Sequence, residues 1–229
     1  VPAASEPPGS GALAALPVVG AVLGAAAGAA GWAAARTLPE PCGAAVSLAA
    51  LAILSGAIHD DGFLDGCDAF FASTSPERRL EILKDPRHGT FAVVGFTSIA
   101  SLTLAALAAI PPARYPAVLA FAAATARAAA VTGAFVFPGA RGARERPHFA
   151  RDAGSLTALG ASLGVLAACS IGFGRRGIAF VPGAVVLALG TERWICGRIG
   201  GLVGDAYGFA ITIVSSMTIV AVSSAVARE

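Results

Sequence analysis

The chain has 229 residues, of which 56% are hydrophobic and 13% charged, and its mean hydropathy is +0.74. Soluble domains carry roughly 25% charged residues, so this composition excludes an ordinary soluble protein and indicates a membrane protein. The net charge of +2 is close to neutral, and no nucleic-acid partner is expected.

Taken in chain order, uncharged stretches run from Pro7 to Ala35, Pro41 to Ile58, Phe91 to Ile110, Ser155 to Gly174 and Ala206 to Ala227. Each is close to or above the ~18 to 20 residues that cross a hydrocarbon core. Tyr115 to Phe137 is long enough but carries Arg127, and Gly177 to Thr191 is short, contains Pro182 and continues past Glu192 toward Trp194. The expected fold is therefore all-α, a polytopic bundle of about seven transmembrane helices in the bilayer. It forms a single domain over residues 1–229 without repeats or linkers. The first apolar run is too long for a signal peptide and lacks a basic flank. Cys42, Cys67, Cys169 and Cys196 form no CxxC pair and read as small buried residues.

Charge sets the orientation. Spanning alternately places residues 59–90, 138–154 and 193–205 on one side, with ten of the sixteen Lys and Arg. By the positive-inside rule that side is cytoplasmic, with the N-terminus inside and the C-terminus outside.

Seven of the fourteen acidic residues fall between Asp60 and Asp85 on that same side. A solvated loop accounts for some of them, but not for their spacing. Asp61, Asp65 and Asp68 stand at i, i+4 and i+7, on one helical face within roughly 60°. Like charges so placed repel, and an oxygen-only set of this kind suits a hard cation such as Mg²⁺, completed by water and substrate phosphates. His59 reads as a ligand, an interfacial proton donor or a helix-end residue. Gly62 and Gly66 point to close approach, either of a ligand or of another helix.

"STSPERRLEILKDPRHGTF" reads as a short cytoplasmic helix, with Thr74 or Ser75 as N-cap, Pro76 and Glu77 in its first turn, and Asp85 and Pro86 ending it. Its Arg78, Arg79, Lys84 and Arg87 suit either headgroup contact or a phosphate clamp facing the carboxylates. "RGARERPHFARDAG" is a basic turn that includes Arg151. "GRIGGLVGDAYGFA" is glycine-rich, with Asp205 at the entrance to the last span and Gly200, Gly201 and Gly204 able to expose N–H groups to an anion. Arg127, inside a span, needs a polar cavity or a partner, with Glu192 or a site aspartate as candidates.

"GAIHDDGFLDGCDAFFASTSPERRLEILKDPRHGTFAVVGF" resembles the hallmark segment of the cobalamin synthase family, the adenosylcobinamide-GDP ribazoletransferases. His59, Asp61, Gly62, Asp65, Asp68, Arg79, Glu81, Ile82, Lys84, Asp85, Gly89 and Thr90 match that pattern. The similarity extends through "LPVVGAVLGAAAG", Arg127, "PHFARDAG" and "GGLVGDAYGFA", in the family's order over nearly the whole chain. Asp60 stands where the family usually has Leu, Ala69 where it has Gly and Val203 where it has Thr. The usual acid of the final helix is absent, and the segment before the first span looks truncated.

The resemblance implies a Mg²⁺-dependent transferase of the bacterial or archaeal cytoplasmic membrane. An α-ribazole hydroxyl, or that of its 5′-phosphate, attacks the cobinamide-linked phosphorus of adenosylcobinamide-GDP and GMP leaves. On that reading Asp61, Asp65 and Asp68 hold Mg²⁺, with Asp61 and Asp65 central to catalysis, and Asp85 is a further ligand or the base. His59 orients a carboxylate or substrate group. Arg79, Lys84 and Arg151 hold phosphates, Arg127 and Gly204 contribute to substrate binding, and Asp205 completes the metal site or binds a ribose hydroxyl. Homo-oligomerisation is left open. A CDP-alcohol phosphotransferase is the rival in mechanism, although "DGCDAFFAS" lacks that family's Gly and Arg. An ion transporter lined by the aspartates is the rival of another class.

Overall fold

The structure, a computed structural model, describes residues 10–39, 41–140 and 174–226 together with Gly160 and Gly164. Its helices are α1 (Ser10–Ala34), α2 (Cys42–Leu54), α3 (Ile58–Phe71), α4 (Pro76–Ile82), α5 (Thr90–Ala108), α6 (Tyr115–Val136), α7 (Gly174–Ile199) and α8 (Gly204–Val226), with a 3₁₀ turn at Pro112–Arg114 before α6. The expected span from Ser155 to Gly174 lies outside the described residues apart from Gly160, Gly164 and Gly174.

The all-helical, multi-pass character is as the composition demands; the count of seven spans is not confirmed. Five described helices are long and apolar enough to cross a membrane, or six if α2 and α3 together form one broken span. The run from Pro41 to Ile58 is not a straight crossing. Gly56 has φ +67° and Ala57 φ +54°, and the Ala57 and Gly56 N–H groups donate to the Ala52 and Ile53 carbonyls at 2.8 and 3.0 Å. That is a Schellman ending, satisfying the last carbonyls of α2 from two left-handed residues. α3 then leaves at 92° to α2. A left-handed alanine costs about 1 kcal/mol, so the bend is held by what α3 packs against.

The sixth expected span is one helix of 26 residues that runs through Pro182 to Ile199. Arg193 and Arg198 therefore ride on α7 rather than in a loop, and the connection to α8 is short. One isolated bridge, Gly139 to Leu202, ties the end of α6 to that connection.

Packing follows the small residues. Gly20, Gly24 and Gly28 recur every four residues along α1, and a Cβ at each would run into α6 at Ala123, Leu119 or Pro116. Backbones touch along that stripe, as they do where small residues line membrane helices. An apolar core around Leu107, Leu119, Phe121 and Ile219 fills one end of the bundle. A second, around Phe63, Phe70, Ile195 and Phe209, lies under α3. There the Phe63 and Phe209 rings stack at 5.0 Å, and Phe70 meets Phe209 edge-on at 5.3 Å.

Because the Gly24 Cβ position coincides with the α6 backbone, Gly24→Val is expected to cost about 1 to 3 kcal/mol. The check is a lower temperature for loss of the monodisperse peak of detergent-purified protein on heating.

Candidate active site

α3 crosses α8 closely. A Cβ on Gly62 would sit 3.0 Å from the Asp205 carbonyl oxygen and 3.2 Å from the Gly208 Cα, and one on Gly208 would sit 3.2 Å from the Gly62 Cα. Of the two readings of Gly62, helix packing is the one observed; Gly66 likewise faces the Phe209 ring. The Thr212 hydroxyl adds a hydrogen bond to the His59 carbonyl at 3.0 Å. This crossing buries the Gly62, Phe63, Gly66 and Phe70 side of α3 and turns Asp61 and Asp65 outward.

Three ligand atoms converge on that outward side. One atom each from Asp61, Asp65 and His88 lies within 4.8 Å of the other two, and His88 Nδ1 is 3.6 Å from Asp65 Oδ1. Asp61, Asp205 and Asp68 all lie near enough to Asp65 to repel its charge. Two carboxylates with oxygens no more than 4.8 Å apart repel by about 3 kcal/mol or more at an effective dielectric of ~20, less where water and salt screen them.

Asp68, expected as the third ligand, is held elsewhere. Its Oδ1 accepts the Ala92 N–H at 3.0 Å and its Oδ2 accepts the Gly89 N–H. Those donors open α5, so Asp68 caps the N-terminus of a second helix and meets its dipole with a negative charge. The cap fixes Gly89 against α3 and thereby sets His88, one residue earlier, beside Asp65. Sequence reasoning missed His88, because no periodicity joins residue 88 to the acids of α3. The only local signal was its place beside the glycine that starts an apolar helix.

The basic residues are disposed differently from a phosphate clamp. Ser75 caps α4 by accepting the Arg78 N–H at 3.3 Å, as expected. Arg79, however, points inward. It is buried and donates to the Ala72 carbonyl at 2.9 Å and the Arg198 carbonyl at 3.3 Å. Arg198 returns a bond to the Phe70 carbonyl at 3.0 Å and lies 4.9 Å over the Trp194 ring. The two arginines thus close the C-terminal end of α3, where cations are favoured. Arg79 Nε has no partner among the described residues. Lys84 is exposed, while Arg151 lies outside the described residues.

Asp85 is clasped by Arg87, whose Nε and terminal nitrogen donate to its two oxygens at 2.9 and 2.8 Å, with the Arg87 N–H at 3.1 Å. These bonds hold its carboxyl down at about 2, from an ordinary 3.8. A depressed carboxylate keeps its pairing above the ordinary value and loses it only as pH falls through about 2. Asp85 is therefore ionised at every physiological pH.

His59 and Arg127 meet in a different place. At 100° per residue His59 lies roughly 120 to 160° around α3 from Asp65 and Asp61. Together with Asp60, Thr103, Arg127 and Thr212 it lines a cavity of about 260 Å³ between α2, α3, α5, α6 and α8. The buried Arg127 donates to the Ala123 carbonyl at 3.2 Å. Its suggested pairing with Glu192 does not form: Glu192 is fully buried against Gly133, and its oxygens have no partner among the described residues. Asp205 is half-buried in the first turn of α8, and a Cβ on Gly204 would meet nothing within 4 Å.

The family model for cobalamin-5-phosphate synthase matches residues 1–223. The adenosylcobinamide-GDP ribazoletransferase of Brucella ovis is 36% identical over 207 residues, covering 86% of this chain and 79% of that protein. The proteins of the same name from Brucella canis and Brucella suis give the same identity and coverage. No solved structure matches.

Replacing Asp68 by Ala removes the cap on α5 and is expected to cost about 1 kcal/mol. Hydrogen–deuterium exchange should show it as faster exchange of the Gly89 and Ala92 amides, with α1 and α6 unchanged.

Proposed function

Because the chain belongs to the cobalamin-5-phosphate synthase family, we propose that it is a ribazoletransferase of cobalamin biosynthesis, using adenosylcobinamide-GDP and α-ribazole or its 5′-phosphate. A ribose hydroxyl oxygen attacks the cobinamide-linked phosphorus, the bond from that phosphorus to the GMP oxygen breaks, and the hydroxyl proton passes to a base. A phosphodiester and GMP result. The observation that carries this reading is the convergence of Asp61, Asp65 and His88 on one accessible point, inside the segment that the family match covers.

The donor set fits a divalent cation: two carboxylates crowded together with no arginine or lysine paired to either among the described ion pairs. Mg²⁺ is the ion proposed for turnover, held by Asp61 and Asp65 and completed by water and phosphate oxygens. When bound, it supplies charge neutralisation on the transferring and leaving oxygens. The chain's own residues do the rest. Asp68, by capping α5, keeps the acidic face of α3 and the loop through His88 in one register. Asp205 borders Asp65 and suits either the ion or a ribose hydroxyl. Lys84, exposed on the same segment, is placed to meet an anionic substrate from solvent.

Asp85 serves better as a fixed charge or ligand than as the base, since a carboxyl held at about 2 takes up a proton poorly near neutrality. Arg79 acts by closing the end of α3, so its effect on phosphate binding is indirect. His59 and Arg127 contribute from the cavity on the other face of α3. The carboxylate face is read as cytoplasmic, by the positive-inside rule.

The test uses full-length protein in detergent with adenosylcobinamide-GDP, α-ribazole and Mg²⁺, reading GMP. Asp65→Asn is expected to lower turnover by at least ~100-fold without loss from the membrane fraction. Full GMP release by that variant, or CMP release from a CDP-alcohol in place of GMP release, sinks the reading.

A further inference from the structure

We propose that His88 is a cation ligand that gives this site a preference for divalent transition metals over Mg²⁺. The inference rests on the reading of Asp61 and Asp65 as a cation site and adds a donor that neither the motif nor the family name assigns.

The geometry is that of a ligand rather than of a bystander. Ligand atoms of Asp61, Asp65 and His88 lie within 4.8 Å of one another. Two donors on opposite sides of a six-coordinate ion are separated by roughly 4.2 Å, twice the ~2.1 Å of a metal–oxygen or metal–nitrogen bond. Adjacent donors on such an ion stand roughly 3.0 Å apart, so His88 and Asp65, at 3.6 Å, need to close by less than ~1 Å and the other pairs, within 4.8 Å, by less than ~2 Å. His88 comes from the segment before α5 and the acids from α3, so the donors approach from two elements joined by the Asp68 cap. The His88 side chain is 37% exposed, leaving room for water or substrate oxygens to complete a coordination shell.

The chemistry follows from the donor types. Mg²⁺ favours oxygen and keeps much of its water, so it would take the two carboxylates and gain little from an imidazole. Manganese, cobalt and zinc ions accept imidazole nitrogen readily, with affinity for a mixed N/O set rising from manganese onward. A site of two carboxylates and one imidazole thus binds even Mn²⁺, the weakest of that series, more tightly than Mg²⁺. A His88 side chain that merely pairs with Asp65 as a cation predicts the opposite: bound metal would displace it, and no metal–nitrogen bond would form.

The experiment is Mn²⁺ binding to full-length, detergent-purified protein, followed by loss of the free-ion electron paramagnetic resonance signal and by competition with Mg²⁺. The bound ion is then examined by electron spin echo envelope modulation for a directly coordinated nitrogen. Wild type is expected to bind Mn²⁺ at least ~10-fold more tightly than Mg²⁺ and to show ¹⁴N modulation. His88→Leu, checked for fold by size exclusion, is expected to lose that modulation and ~10-fold or more of Mn²⁺ affinity, with Mg²⁺ affinity changed by less than ~3-fold. Mn²⁺ bound in an Asp65-dependent way without nitrogen modulation, or equal losses for both metals in His88→Leu, overturns the role of His88 alone. Failure of wild type to bind either ion, or undiminished binding in Asp65→Asn, overturns the cation site itself.

Discussion

The site depends on one close crossing. α3 lies over α8 with Gly62 against the backbone of Asp205 and Gly208, where a Cβ would already be tighter than ordinary contact, as small residues allow where membrane helices cross. The crossing replaces the straight span that the apolar run before it suggests. Held by the Phe63, Phe70 and Phe209 rings below and by Thr212 on the His59 carbonyl, α3 turns its apolar side into the bundle. Asp61 and Asp65 are left on the opposite side. The same contact brings Asp205 up beside Asp65, so packing and charge placement are a single event.

Once α3 is laid down in this way, most neighbouring charges are already committed. Asp68 satisfies the first N–H groups of α5. Arg87 clasps Asp85, and Arg78 pairs with Glu81. Arg79 and Arg198 hold carbonyls at the end of α3, which ties α4 and α7 to it. The repulsion between Asp61 and Asp65 is left with the His88 imidazole as its near neighbour. Glu81 and Asp85 are thus paired with arginine, whereas Asp61 and Asp65 have no lysine or arginine partner among the described ion pairs, which is the kind of unrelieved repulsion found at functional sites.

The sequence was most informative where a single helix carried the pattern. The i, i+4, i+7 spacing put Asp61 and Asp65 on one face correctly, and the capping residues of α4 were legible from "TSPE" alone. It was less informative where two elements meet. Asp68 belongs to the same stripe, yet its oxygens are taken by the start of α5, which lies more than twenty positions along the chain. His88 joins the cluster through that same cap, and only its place beside the glycine that starts α5 hints at it. Arg79 matched a phosphate-binding expectation, but only the folded chain shows the carbonyls of Ala72 and Arg198 waiting for its guanidinium. The bend at Gly56 was legible in principle, since glycine commonly ends a helix. The apolar run continuing to Ile58 masked it.

The two faces of α3 divide the labour that the motif compresses into ten residues. Asp61 and Asp65 face outward, where a phosphate can arrive from water. His59 and Asp60 face a cavity with Arg127, where hydroxyls of Thr103 and Thr212 share an apolar wall. A buried guanidinium is retained at a cost of roughly 2.5 to 3.5 kcal/mol on insertion scales, and Arg127 offsets only part of that by bonding to its own helix at Ala123. The remainder falls to the polar lining that α3 brings with it. Moving α3 would therefore disturb the cavity and the carboxylate face together, which makes the rigidity of the Gly62 crossing a condition of both.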